Sequence, residues 1–214
     1  MTEIDLDNMR KEQLEISKKV ILTDKTPGEI KTIWGFDVSY SGEKAYSAGV
    51  VLDSETLELI EKRVVKTRAE FPYIPTFLSF REGPLIMKAY ERLKNKPDVL
   101  IINGQGVAHP LRAGLATHVG VILNKPTIGI AQKRLVGEHE IPENPGDFSK
   151  LVFKGEQVGW FLKTKKFCNP IFVSPGHMIS LEKTLDIAKK CVKSSKLPEP
   201  LRLAHGLSKD HSNL

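Results

Sequence analysis

Four polar residues stand where the surrounding sequence is apolar or where the chain turns, and together their types point to one chemistry. Asp37 interrupts the run TIWGFDVSY between Phe36 and Val38. On a strand with one solvated face such a carboxylate meets water; on a buried strand it needs compensation, because an unpaired buried charge is costly. Glu82 opens a helix in SFREGP, where the helix dipole by itself favours an acid. Asn103 closes the stretch VLII and starts GQGVAHP, at the carboxyl end of a buried strand, the place where open α/β sheets collect ligands. Asn-Gly is equally an ordinary turn pair. His205 lies in the helical segment RLAHGL. Brought together, two carboxylates and an amide oxygen would hold a hard divalent cation, with the histidine near an attacking water. Magnesium takes one or two carboxylates, keeps several waters and leaves room for phosphate oxygens, which is the wiring of phosphodiester hydrolysis. Spacing alone does not place residues 37, 82, 103 and 205 side by side.

The neighbouring residues suit a polyanion. Glycines 104, 106, 114 and 120 permit close backbone approach, and Lys133, Arg134, Lys163, Lys165 and Lys166 offer charge for phosphates, though such clusters also serve as solvated surface. Tyr73 sits in Pro72-Tyr73-Ile74-Pro75, a loop stiffened by two prolines. An aromatic held that way is either a low-entropy wedge against a base or a side chain packed beneath its own loop.

These residues must be carried by a scaffold, and the chain supplies one. A helix is expected around Met9 to Ile21, then a strand from Thr32 to Tyr40 and a turn at Ser41-Gly42-Glu43. Two further strands follow, the last alternating through Leu59, Glu61, Arg63 and Val65 with one solvated face. After the proline loop come a helix from Phe77 to Lys94, the strand VLII, a helix from Gly114 to Leu123 and a strand from Pro126 to Ala131. A hairpin pivoting on Gly155, the strand IFVSPG, the helix SLEKTLDIAKKCV and a last helical piece at Leu201 to Leu207 complete the order. A meander followed by βαβ units makes a mixed α/β sheet flanked by helices. Residues 1–214 read as one domain, with the N-terminal helix and a short C-terminal tail, Lys209 to Leu214, as appendages.

Composition narrows the partners. With 40% hydrophobic and 27% charged residues the chain is globular, neither collagen-like nor disordered. No stretch of apolar residues reaches membrane-spanning length, and Glu3, Asp5 and Asp7 stand where a signal peptide would be basic, so a soluble, cytoplasmic protein without a membrane partner is expected. Cys168 and Cys191 lack the spacing of a zinc site or a disulfide framework. Thirty-two Lys and Arg against 26 Asp and Glu give a net charge of +6, which favours a nucleic-acid partner.

GFDVSY, FPYIPTFLSFREGP, INGQGVAHPLRAGLATHVGV, PTIGIAQKRLVG, VSPGH and PEPLRLAH, in this order and spacing from about Lys31 to Leu207, resemble the endonuclease V family. The resemblance implies a ribonuclease-H-like fold. It also implies a magnesium-dependent DNA repair endonuclease, with manganese as a possible substitute, that recognises deoxyinosine and cuts the second phosphodiester bond on its 3′ side. On that resemblance Asp37, Asn103 and Glu82 take the metal-ligand positions, Glu82 the catalytic glutamate, and His205 the histidine by the attacking water. Pro72, Tyr73, Ile74 and Pro75 match the strand-separating wedge. Gly104, Gly106, Leu115 and Leu135 fall around the flipped base, with Gln132 and Lys133 beside them. A monomer acting on DNA is expected, with inosine in RNA as a second substrate class. The sequence departs from the family at three places: Asn103 replaces an aspartate, Gln132 a lysine, and Thr76 a glycine. Asn103 opens an alternative, a protein that binds inosine-containing nucleic acid with lost or weak cleavage.

Overall fold

A short amphipathic helix, α1 (Leu6–Lys18), opens the chain behind an Asp5 cap whose carboxylate accepts the Asn8 amide at 2.9 Å. The structure, a computed structural model, describes residues 4–26, 28–68 and 70–212. Three strands form an antiparallel meander, β1 (Thr32–Ser41), β2 (Lys44–Asp53) and β3 (Leu59–Arg68). Then follow α2 (Leu78–Glu91), β4 (Val99–Asn103), α3 (Leu115–Leu123) and β5 (Thr127–Ala131). The hairpin β6 (Phe148–Phe153) and β7 (Glu156–Leu162), the strand β8 (Ile171–His177), α4 (Leu181–Lys190) and α5 (Glu199–Ser212) complete it.

The eight strands make one sheet in the order β3-β2-β1-β4-β5-β8-β7-β6, parallel at β1/β4 and β4/β5 and antiparallel elsewhere. This is the ribonuclease-H-like mixed sheet that the sequence motifs imply. Alternate side chains serve opposite faces. Ile33, Val99 and Ile101 join a cluster with Leu185 of α4 and Leu201 and Ala204 of α5, while Trp34, Phe36, Leu100 and Ile102 join Ile86 of α2 and Val119 of α3. Val99 to Ile102 are each 0% exposed, as an apolar run covered by helices on both faces should be. The start of α5 lies directly on β1: a Cβ at Gly35 would fall 2.2 Å from the Pro200 carbonyl oxygen, so only glycine allows that approach.

Three expectations need correction. The region read as a tail from Lys209 is, as far as Ser212, the end of α5, which packs on β1 and β2. The helix expected to reach Lys94 stops at Glu91, because the Glu61 carboxylate accepts the Lys94 and Asn95 amides at 3.0 and 2.9 Å and draws the chain toward β3. For the same reason the alternation of β3 is imperfect, with Glu61 buried and Leu59 exposed. Burial alone would raise the Glu61 pKa, but those amides, the Asn95 side chain and Arg63 hold it below the usual carboxylate range.

Candidate active site

The parallel pairing of β1 with β4 sets Phe36 against Ile102, and one residue further on Asp37 and Asn103 stand side by side where β4 ends. Asp37 is only 5% exposed, so its face of the strand is buried and the compensation lies in the fold. Asn103 Nδ2 donates to Asp37 Oδ1 at 2.7 Å, and His205 Nδ1 lies 2.8 Å from Oδ2. The Ser208 hydroxyl approaches Oδ2 at 3.2 Å and is 2.7 Å from the Ser39 hydroxyl. His205 and Ser208 are one helical turn apart on α5, the helix that Gly35 admits so close to β1. With Nδ1 turned to the aspartate, the other ring nitrogen of His205 is on the far side, and the side chain is 43% exposed.

Glu82 approaches from the second turn of α2 and does not open the helix as expected, because α2 already starts at Leu78; the first turn holds no acid. Burial pushes its carboxyl up to about 7; the Tyr40 hydroxyl, donating to Oε1 at 3.1 Å, and the Arg81 guanidinium work against that, while the charge of Asp37 adds to it. Arg81 lies 4.3 Å above the Tyr40 ring and also donates to the Phe71 carbonyl, tying the start of α2 to the foot of the proline loop. Burial, with the Glu82 charge adding to it, raises the Tyr40 phenol well above its ordinary value, so Tyr40 stays a donor.

Both carboxylates and Asn103 open into a cavity of about 660 Å³. Its wall includes Tyr73, Pro75, Thr76, Gly104, Leu115, Gln132, Lys133 and Leu135, so most of the base-enclosing and wedge residues named from sequence meet there. Tyr73 is 69% exposed, a free tip and not a side chain packed under its loop. Pro72, Ile74, Gly106 and His205 lie off that wall. Gly106 instead packs on β8: its amide donates to Ser174 Oγ at 2.8 Å, and a Cβ there would stand 2.2 Å from the Pro175 carbonyl oxygen. The sequence reading missed Tyr40, Arg81 and Ser208. Ser208 follows His205 by three residues and shares its face because α5 continues past Leu207 to Ser212.

As donors, Asp37, Glu82 and the Asn103 carbonyl are hard oxygens, and the mutual repulsion that helps raise Glu82 is what a divalent cation between them relieves. The set therefore fits a hard cation, with one neutral member: among the described residues no three His, Cys, Asp or Glu side chains are grouped to hold a metal. A ribonuclease-H-like sheet with Asp37 on β1 and Asn103 at the end of β4, faced by Glu82 from α2 beside a cavity rimmed with Lys133 and Arg134, has the make-up of a nuclease. More particularly, the chain belongs to the endonuclease V family, whose model matches residues 14–206. It is 49% identical over 198 residues to the endonuclease V of Dictyoglomus turgidum, covering 92% of this chain and 86% of that one. The crystal structure of Bacillus subtilis endonuclease V superposes with a TM-score of 0.92 at 32% identity, covering 99% of this chain and 94% of that chain. A variant of Ciona intestinalis endonuclease V, crystallised with a 23mer DNA containing an inosine followed by a ribo-adenosine, gives a TM-score of 0.89 at 30% identity and covers 100% and 99%. Nucleases of this family are metal-dependent in general.

Proposed function

We propose that this chain is a magnesium-assisted endonuclease that recognises deoxyinosine in DNA and hydrolyses the second phosphodiester bond on its 3′ side. The observation that carries the reading is that Asp37, Glu82 and Asn103 open into the same cavity as the exposed Tyr73 and the Gly104 and Leu115 wall. Lesion recognition and hydrolysis then share one chamber.

Tyr73, on its proline-stiffened loop, enters the duplex and takes the place of the extruded base. Thr76, Gly104 and Leu115 surround that base, and Lys133 and Arg134 meet the strand's phosphates. Asp37, Glu82 and Asn103 hold the metal, which when bound supplies charge neutralisation at the scissile phosphate and a more acidic water. His205 keeps Asp37 oriented through Nδ1, and its exposed outer nitrogen accepts a proton from the nucleophilic water. The Tyr40 hydroxyl holds Glu82 Oε1 in place.

Asn103 supports a second reading, a deoxyinosine reader with feeble cleavage. Its NH2 group faces Asp37 Oδ1, and it brings no negative charge to the cation. Nicking of an end-labelled duplex with a single deoxyinosine separates the two. The endonuclease cuts at the second bond 3′ of the lesion, stops when the metal is chelated, and leaves the undamaged duplex intact. A chain that retains the duplex on a filter yet produces no nick with magnesium or manganese is the reader.

A further inference from the structure

Thr76 ends the wedge loop and lines the cavity with its backbone at φ +70°, in the left-handed region that a β-branched residue seldom enters. Something must hold it there. Its carbonyl oxygen accepts two hydrogen bonds, from Gln13 Nε2 at 2.6 Å and from His109 Nε2 at 3.0 Å. Both donors are out of solvent, at 1% and 2% exposure. His109 is set in its role by its own loop: Nδ1 accepts the Leu111 amide at 3.2 Å, which leaves the proton on Nε2 facing Thr76, and burial lowers its pKa so that the ring stays neutral.

Gln13 is the more telling partner. It belongs to α1, a mostly polar helix whose buried residues are Gln13 and Ile16. A buried amide must find an acceptor, and this one spans 63 residues of sequence to reach the loop. The same helix touches the segment again where Arg10 lies 5.8 Å from the Phe77 ring centroid. Phe71 and Phe77, on either side of the loop, both pack on Phe80, with centroids 6.2 and 6.1 Å apart. The loop is thus fixed at its base and free at Tyr73.

We propose that Gln13 is a positioning residue for base recognition: together with His109 it holds the Thr76 carbonyl, and so keeps Thr76 in the left-handed conformation that shapes the cavity wall. This rests on the deoxyinosine reading above. Without the Gln13 donor, Thr76 relaxes toward an ordinary backbone basin and the wall beside Pro75 swings, so that a damaged base is no longer told from a normal one. Glycine at 76 would occupy the left-handed basin unaided, so the need for the clamp is coupled to the side chain at that position.

A double-mutant cycle reads that coupling. The quantity is lesion preference, the Kd for an undamaged duplex divided by the Kd for the same duplex with one deoxyinosine; the single-turnover rate at saturating protein is measured beside it. Gln13→Met keeps the volume and removes the donor, while Gln13→Asn keeps the amide and shortens its reach. Either variant is expected to lower the preference about tenfold, but less than about threefold when combined with Thr76→Gly, while the rate from the bound complex changes by less than about twofold. Melting curves decide which of the two variants is scored. Unchanged preference, or an equal loss in both backgrounds, overturns the clamp. A parent chain with no preference for deoxyinosine overturns the functional reading itself and takes the clamp's role with it.

Discussion

Asp37 and Glu82 share a cavity and a charge, yet the fold treats them differently. Asp37 sits on a buried strand and is met within the chain by an amide, an imidazole and a hydroxyl. Glu82 sits in the second turn of α2 with one phenol hydrogen-bonded to it, and its carboxyl is pushed up to about 7, chiefly by burial and further by the charge of Asp37, against the Tyr40 hydroxyl and Arg81. One carboxylate is built into the scaffold; the other needs something from outside to be comfortable as an anion. A divalent cation is such a partner, so the asymmetry is what the proposed metal-holding role asks of the two carboxylates.

The largest expected effect breaks the scaffold side. Asp37→Ala removes the acceptor of three donors and, in the proposed mechanism, a metal ligand, and deoxyinosine nicking is expected to fall by about a thousandfold or more. Circular dichroism should still show a folded chain, since the buried donors can turn to one another or to water. Nicking within tenfold of the parent would remove Asp37 from the mechanism. A middle-sized effect sharpens the other side. Tyr40→Phe takes away the hydroxyl that opposes the rise of Glu82, so the Glu82 carboxyl moves further up. Because the proposed mechanism uses the ionised form, the acid limb of the pH–rate profile should shift to higher pH, with a loss of about tenfold below neutrality that narrows as pH rises. An unmoved limb would mean that Glu82 does not set it. The smallest effect is at Ser208, where Ser208→Ala removes one of the Asp37 partners. A loss of about 1 kcal/mol in denaturant unfolding and a rate change of only a fewfold are expected, because Asn103 and His205 remain. A loss as large as that of Asp37→Ala would show that Ser208, and not the imidazole, orients the aspartate.

The contrast between the carboxylates also shows what a sequence displays. Asp37 is conspicuous in its apolar run, and Asn103 at the end of VLII is placed by the same logic, because strand alternation and strand ends are local patterns. That Asp37 is buried is not local, since it depends on α5 crossing β1, and that crossing rests on a single glycine against Pro200. The meander and the parallel centre of the sheet follow from order and periodicity, whereas the end of α2 is decided by Glu61, more than thirty residues away in sequence from the amides it accepts. Tyr40 and Arg81 adjoin named residues, but nothing in their spacing tells that the phenol meets Glu82. The hold of Gln13 on Thr76 is less legible still, for an amide on a polar helix looks like surface until its burial is seen.

With a neutral Asn103 in place of a third carboxylate, the proposed site is expected still to cut. The direct measurement is magnesium-dependent nicking of a duplex carrying one deoxyinosine by the chain as it stands and by Asn103→Asp. An added anion beside a divalent ion strengthens its binding, so the variant should reach half-maximal rate at a magnesium concentration about tenfold lower or less, while both proteins cut the second bond 3′ of the lesion. If the chain as it stands binds the duplex but cuts at no concentration of magnesium or manganese, and only Asn103→Asp restores cleavage, the protein is not an endonuclease but a reader of deoxyinosine.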